Sequence, residues 1–344
     1  AYASLSHCWG TSSHPLTTKA TLESRKRGFP VAELAQTFQD AIFVTRALGI
    51  RYLWIDSLCI CQDDRADWER ESAKMASVYS NAHITISAQR ASDDSAGFLG
   101  ERKERTYVSV PYTPEGVEVM AFEIPISHAA YGHRCLEAEE EPLSQRAWVL
   151  QERRLSPRNI HFGTREIAFE CVGHEFVTED GFEHDEKIEW FDIETMTPDP
   201  GFEDFLYRGP VAWSNLVRTY TNKVLTKKSD RLPAMAGFAR RFDELWRDQM
   251  SEEKKSNWKP GGEYAAGLWR KNLVEGLAWQ CVGGRGTYLD EYRAPSWSWA
   301  SLEGDMAVSS LGTWTDLVSI EDVSVSIDGQ NPYGEVSGGY IQLK

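Results

Sequence analysis

The chain has 344 residues, 41% of them hydrophobic, and a formal net charge of -15. That length buries a sizeable core in one large or two ordinary domains. The acidic balance excludes a nucleic-acid partner, whose phosphates need clustered Lys and Arg. The basic runs Arg25-Lys26-Arg27 and Lys227-Lys228 sit beside turn signals and read as solvated surface. The 6 cysteines, among them the Cys59/Cys61 pair, are too few and scattered for a secreted disulfide framework. They read as reduced thiols in an intracellular, cytoplasmic protein. No apolar run nears the roughly 20 residues that cross a bilayer, so no membrane partner is expected.

In chain order, Tyr2 to Ser6 predict a short strand ended by His7-Cys8-Trp9-Gly10. The opening AYASLSHCWG reads as a strand rather than a leader, as if the chain began inside a longer protein. Residues 11–32 read as loop. Glu33 to Leu48 predict a helix with Leu34, Phe38, Ala41, Ile42, Thr45 and Leu48 on one face, ended by Gly49 as a left-handed cap. Tyr52 to Ile60 predict a strand buried on both faces, broken by Asp56. The polar turn Gln62-Asp63-Asp64 follows, with Asp able to cap what comes next. From Trp68 through Glu71, Met75 and Tyr79 to Ala82, one helix is expected, and His83 to Ala88 predict a further strand.

Strand, helix, strand, helix, strand is the order of a parallel sheet with crossover helices. Ligands of such sheets bind beyond the carboxyl ends of the strands. Here those ends are His7-Cys8-Trp9, Asp56 to Asp63, and Ser87 to Asp94. Further on, residues 107–111 and 117–124 predict a hairpin, the acidic run 137–141 a solvated loop, and Leu143 to Arg154 a helix. Asn159 to Phe162 and Glu166 to Cys171 resemble strands. The acidic stretch 174–212 reads as a linker or excursion between an α/β domain over 1–173 and a mainly helical region over 213–344. That region carries predicted helices at Trp213 to Val224, Ala234 to Gln249 and Tyr264 to Ala278. Tyr292 to Ser301, Val318 to Ile327 and Tyr340 to Leu343 read as closing strands packed on the first domain. Trp297 and Trp299, two apart, are expected on one strand face as a core seal.

Two carboxylates interrupt apolar patterns, and an unpaired buried charge costs several kcal/mol. Asp56 ends a strand, where it can serve a ligand or simply accept hydrogen bonds from the following turn. Glu71 lies on an apolar helical stripe as an acid–base carboxylate or as a structural ion pair with Arg46, Arg51 or Arg146. Cys59 and His7 offer a thiolate–imidazole pair, although a cysteine is often a small buried hydrophobe. The candidate catalytic residues are therefore Glu71, Asp56, Cys59 and His7. The candidate ligand contacts are Trp9, Ser6, Ser57, Asp63, Arg146 and Glu152, with Arg146 and Glu152 alternatively locking their helix to the sheet, as Trp148 is expected to do. No Gly-rich phosphate loop and no compact metal-ligand spacing occur, so neither a metal nor a resident cofactor is expected.

The blocks YASLSHCWG, TFQDAIFVTRALGIRYLWIDSLCICQDDRADWERESAKMASVYSNA and RAWVLQERRLSPRNIHF, in that order, resemble the fungal heterokaryon-incompatibility (HET) domain. Downstream, YTNKVLTKKSDRLPAMAGFA, YAAGLWRKNL and YRAPSWSWASLEG are similar to extensions common in such proteins. His7 stands where many members carry Tyr, and Cys61 where a branched aliphatic is usual, which changes the polarity of the cleft. The resemblance implies a TIR-like, flavodoxin-like parallel sheet and a role in fungal non-self recognition and programmed cell death. Some TIR domains, which act in innate immunity, hydrolyse NAD through a glutamate in an α/β cleft. NAD or a related nucleotide is then a substrate, with Glu71 stabilising an oxocarbenium-like centre and activating water. In the TIR layout that glutamate lies on the helix after the third strand; Glu101 is near, but Ser92 to Glu101 carry no clean match. The resemblance also implies self-association or a protein partner. The alternatives are a non-enzymatic signalling module and a small-metabolite enzyme using Cys59 and His7.

Overall fold

In the computed structural model, the described residues are 1–10, 16–103, 108–111, 118–121, 141–171, 176–179, 183–184, 205–248, 250, 255–284, 286–308 and 318–344. The N-terminal half is organised by β1 (Ala3–Ser6), β2 (Leu53–Trp54), β3 (Ile84–Ser87), β6 (Arg158–Phe162), β7 (Ile167–Cys171), β8 (Phe176–Thr178) and β9 (Glu183–His184). They form one 7-stranded sheet in the order β2-β1-β3-β6-β7-β8-β9. The first four in that order are parallel and the rest antiparallel. β4 (Val108–Pro111) and β5 (Glu118–Ala121) form the expected hairpin outside the sheet. The chain thus winds to one side of β1, then crosses to the other, which puts a topological switch point between β1 and β3.

The sequences of β1 (ASLS) and β3 (ITIS) explain the layering. Side chains alternate across a sheet, so each strand turns an apolar residue one way and a hydroxyl the other. Ala3, Leu5, Ile84 and Ile86 share a core with Phe38, Ala41 and Val44 of α2 (Gln36–Ala47), which follows the short α1 (Leu22–Arg27). The hydroxyls face the other layer: Ser4 Oγ lies 2.8 Å from Thr85 Oγ1, and Thr85 Oγ1 2.6 Å from Ser156 Oγ. Ser156 Oγ donates to the Glu152 carbonyl at 2.6 Å. A buried hydroxyl ladder therefore seats α6 (Ala147–Arg154) on the sheet. Satisfying these groups in pairs removes the cost of burying each alone.

Between β2 and β3 the chain departs from expectation. The apolar run from Tyr52 is strand only over β2, whose residues are half-buried because β1 is its sole neighbour among the described strands, at the sheet edge. The chain then turns into α3 (Asp56–Cys59), where the Asp56 side chain accepts from Ser57 N at 2.7 Å and its carbonyl from Ile60 N. Asp64 caps α4 (Arg65–Ser72) as its residue type suggests. The single expected helix breaks after Ser72, and α5 (Met75–Ser80) resumes beyond Lys74. None of α4 is buried, whereas α5 buries Met75 and Tyr79. The break removes Glu71 from the buried stripe. Gly49, with φ +70°, ends the turn after α2 as a left-handed residue. Residues 137–140 lie outside the described residues, and Glu141 is buried rather than solvated, accepting from Thr164 N and Oγ1. Most of the predicted linker, 185–204, likewise lies outside them.

The second half begins with α7 (Phe205–Thr221) and α8 (Ala236–Asp248). The predicted helix over Tyr264 to Ala278 is instead the hairpin of β10 (Tyr264–Ala265) and β11 (Leu268–Trp269), followed by the one-turn α9 (Leu273–Gly276). Ala266 and Gly267 both adopt positive φ, which no helix tolerates. The Gly267 carbonyl accepts from Trp213 Nε1 and Trp299 Nε1, at 2.9 and 2.8 Å. Trp299 sits in a 3-10 turn rather than a strand, fully buried, while Trp297 is half-buried. The expected strand face for the two indoles is therefore absent. The long strands at Ile320–Ile327 and Val336–Leu343 do pair, antiparallel. Among the described residues no helix is long and apolar enough to cross a membrane.

Helix α6 joins the halves. Its Ala147 and Leu150 belong to the apolar core built by α7, α8 and the tryptophans, while its other side lies on the hydroxyl ladder. Gly237 lets α8 approach this closely: a Cβ there would stand 2.6 Å from the Ala76 methyl and collide with the Gln151 amide oxygen. Gly237→Ala is therefore expected to lower unfolding free energy by about 1–3 kcal/mol through overpacking, despite alanine's better helix propensity. Urea denaturation checks this; an unchanged midpoint would show that α8 moves aside without cost.

Candidate functional site

The carboxyl ends of β1 and β3 carry a polar cluster at the switch point. Gly10 makes the first approach possible: its φ is +74°, and a Cβ there would collide with the Asp93 side chain. The chain leaving β1 thus runs against the 92–96 loop. His7 lies between two carboxylates, Nε2 3.1 Å from Asp94 Oδ1 and Nδ1 3.8 Å from Asp56 Oδ1. Its ring meets the Phe38 edge at 5.1 Å between centroids. Trp9 Nε1 donates to Asp56 Oδ2 at 2.9 Å. Arg146, just ahead of α6, donates through Nη1 to the His7 carbonyl at 2.6 Å. Ser6, the last residue of β1, donates to Glu152 Oε2 at 2.5 Å.

Glu152 is the group whose chemistry is changed most usefully. Burial, reinforced by the negative field of Asp56, raises its pKa from 4.5 to about 7. The Ser6 hydrogen bond and the fields of Arg146 and His7 oppose that rise without cancelling it. A carboxyl group poised near neutrality both donates and accepts protons at the pH of a cell. Tyr79, fully buried, donates to the Leu5 carbonyl at 3.2 Å. Burial and the fields of Glu152 and Asp56 hold its hydroxyl well above its ordinary range, so it stays protonated. Burial also raises the Cys8 thiol, although Arg146 beside it pulls the other way. Ser6, His7, Asp94 and Glu152 are buried; Asp56, at 16% side-chain exposure, and half-buried Trp9 form the outward edge.

Of the expected catalytic residues, Asp56 and His7 come together and Glu71 does not join them. The Glu71 carboxylate pairs with Lys74 Nζ at 2.9 Å and Arg70 Nε at 3.1 Å on partly exposed α4. Its place is taken by Glu152. The expected arginine partners of Glu71 are also replaced, since Arg70 and Lys74 are its immediate helical neighbours. Cys59 makes no hydrogen bond or ion pair with His7. Desolvation and the fields of Asp56 and Glu71 push its thiol up, opposite to what a thiolate nucleophile needs. Of the expected ligand contacts, Ser6, Trp9, Arg146 and Glu152 belong to the cluster. Ser57 supplies its backbone N–H to Asp56, while Asp63 instead anchors the 16–21 loop by accepting from Lys19 N at 2.7 Å. Asp94 and Tyr79 are members that sequence reasoning passed over. Asp94 is signalled only by closing the segment after β3, and Tyr79 resembles an ordinary core aromatic. Among the described residues no group of His, Cys, Asp and Glu suits a metal ion.

Fold and cluster together define an open α/β protein with a carboxyl-centred polar site at the switch point of a mostly parallel sheet. Residues 2–152, a little under half of the chain, match the family model of the Heterokaryon incompatibility protein (HET). No curated protein and no solved structure gives a significant match.

The raised pKa of Glu152 has a consequence for stability. Below pH 4.5 folded and unfolded chains both hold its proton. Between 4.5 and about 7 the unfolded chain releases it while the folded protein keeps it, so rising pH favours unfolding. The loss amounts to about 3 kcal/mol once pH passes 7. Glu152→Gln, which cannot titrate, should flatten this slope in denaturation measured from pH 4.5 to 8. Identical slopes in the two proteins would show that Glu152 titrates normally.

Proposed function

We propose that this HET domain is a TIR-like nucleotide N-glycosidase acting on NAD or a close relative, and that Glu152 is its acid–base carboxyl group. The carrying observation is a buried glutamate with a pKa near 7, beside Asp56 and His7 at the carboxyl ends of β1 and β3. In the proposed reaction the bond from ribose C1′ to the pyridinium nitrogen breaks, and its electron pair neutralises the departing nicotinamide. The oxocarbenium-like ribose is stabilised by the carboxylates of Glu152 and Asp56. Water then adds to C1′ and gives its proton to Glu152. Trp9, steadied through its indole N–H by Asp56, offers an aromatic face for a ring of the substrate. The match of residues 2–152 to the HET family model supports a biological role in fungal non-self recognition, with nucleotide loss as the cell-death signal.

A second reading has one observation in its favour. Ser6, His7, Asp94 and Glu152 are almost entirely buried, which suits a polar pin in a signalling module that works by associating with itself or a partner. Nicotinamide release by the purified protein incubated with NAD separates the two. The enzymatic reading expects turnover that rises with pH through about 7, because water activation needs the ionised carboxylate. Glu152→Gln should lower kcat by about 10²–10⁴-fold, while Glu71→Gln stays within about twofold. No release at high protein concentration would overturn the enzymatic reading.

A further inference from the structure

Helix α6 presents Glu152 to the sheet, yet most of its other anchors come from the second half of the chain. Before the helix, Val224 N donates to the Gln145 carbonyl at 2.7 Å and Ala147 N to the Val224 carbonyl at 2.9 Å, which brackets Arg146. One residue into the helix, Trp148 Nε1 donates to Asp230 Oδ2 at 3.0 Å. One turn later the Gln151 amide oxygen accepts from Gly237 N, at the start of α8, at 2.8 Å. Gln151 is 1% exposed and adjoins Glu152 in sequence. Ala147 and Leu150, between these ties, lie in the second-half core. These contacts fix the helix by its axis, its rotation and its first turn.

We propose that residues 223–237 are a seat that positions the acid–base carboxyl, and that Gln151, Trp148 and Asp230 are positioning residues for Glu152. The catalytic unit then extends beyond the matched residues 2–152, because the helix bearing Glu152 is held from outside them. This rests on the reading of Glu152 as the acid–base group. Glu152 keeps a pKa near 7 only while α6 stays pressed on the Ser4–Thr85–Ser156 ladder and excludes water. A helix released at its outer face tilts, and a misplacement of about 1 Å can cost on the order of 10²-fold in rate.

The test uses the full chain and two readouts: nicotinamide release, and direct titration of the Glu152 carboxyl by carbon NMR with Glu152→Gln to assign the signal. Asp230→Ala and Gln151→Met each remove one acceptor. Both should lower kcat about 10–100-fold with KM changed less than about threefold. The Glu152 titration should fall from about 7 toward 4.5 as water enters. Asp230→Asn keeps an oxygen that accepts from Trp148, and should restore both readouts to within about twofold. If Asp230→Ala fails to fold, Trp148→Phe, which keeps an aromatic ring but lacks the N–H, carries the same comparison. An unmoved titration in Gln151→Met and in either Asp230→Ala or Trp148→Phe overturns the proposal. Should the wild-type protein release no nicotinamide, the titration alone decides. A shift then upholds the positioning role while the glycosidase reading falls.

Discussion

A carboxyl group kept dry between a helix and a sheet is the constraint on which this structure turns. Glu152 enters a layer already occupied by hydroxyls, with Ser6 as its hydrogen-bond donor and Asp56 as a nearby negative charge. Burying a carboxylate without a full counter-charge is unfavourable, so the proton stays on until about neutral pH. Glu170 shows the opposite outcome only a short distance along. Burial raises it too, but Arg153 and His161 outweigh that and hold it well below the ordinary carboxylate range. The two glutamates meet neighbouring residues of one sheet and helix layer and end in different protonation states. Direct cation pairing makes the difference: Arg153 Nε lies 2.8 Å from Glu170, whereas Arg146 gives its hydrogen bond to the His7 carbonyl.

Helix α6 is the part that both halves share. Its eight residues are too short to be stable alone, so its position reflects what packs around it. The sheet contributes hydroxyl partners and the second half contributes Val224, Asp230 and Gly237, with apolar contacts to Ala147 and Leu150. One buried carboxyl group of the second half is satisfied in the same way. Asp243, wholly buried, accepts from Tyr333 Oη at 2.6 Å, Gly261 N at 2.7 Å and Trp258 Nε1 at 3.2 Å. Such satisfied groups hold geometry firmly because moving any partner strands a buried charge.

Much of the fold was legible in the sequence. The alternations in ASLS and ITIS, the face of α2 through Phe38, Ala41 and Thr45, and the left-handed Gly49 each report a local preference that the tertiary structure does not oppose, whereas Leu48, expected on the same face, lies past the helix end and is exposed. The misreadings have local causes as well. Tyr52 to Ile60 carries strand-forming residues, yet an edge position leaves only Leu53–Trp54 paired and Asp56 starts a helical turn. Tyr264 to Ala278 has helical spacing, but Ala266 and Gly267 at positive φ and a carbonyl shared by two indoles turn it into a hairpin. Within the site, strand ends and motif blocks pointed to His7, Asp56, Arg146 and Glu152. The stripe that singled out Glu71 assumed a continuous helix, and the break before Met75 removed its basis.

By itself the sequence carried the likeness to the HET family model over residues 2–152, through three long blocks in order, and the strands β1 and β3, through apolar–hydroxyl alternation that a parallel strand pair sorts onto two faces. Only the tertiary structure decided which carboxyl group is the unusual one. A pKa depends on burial and on charges brought together from distant positions. Ser6 and Glu152 stand 146 residues apart, and nothing in the chain order says that a serine ending the first strand will face that glutamate rather than Glu71.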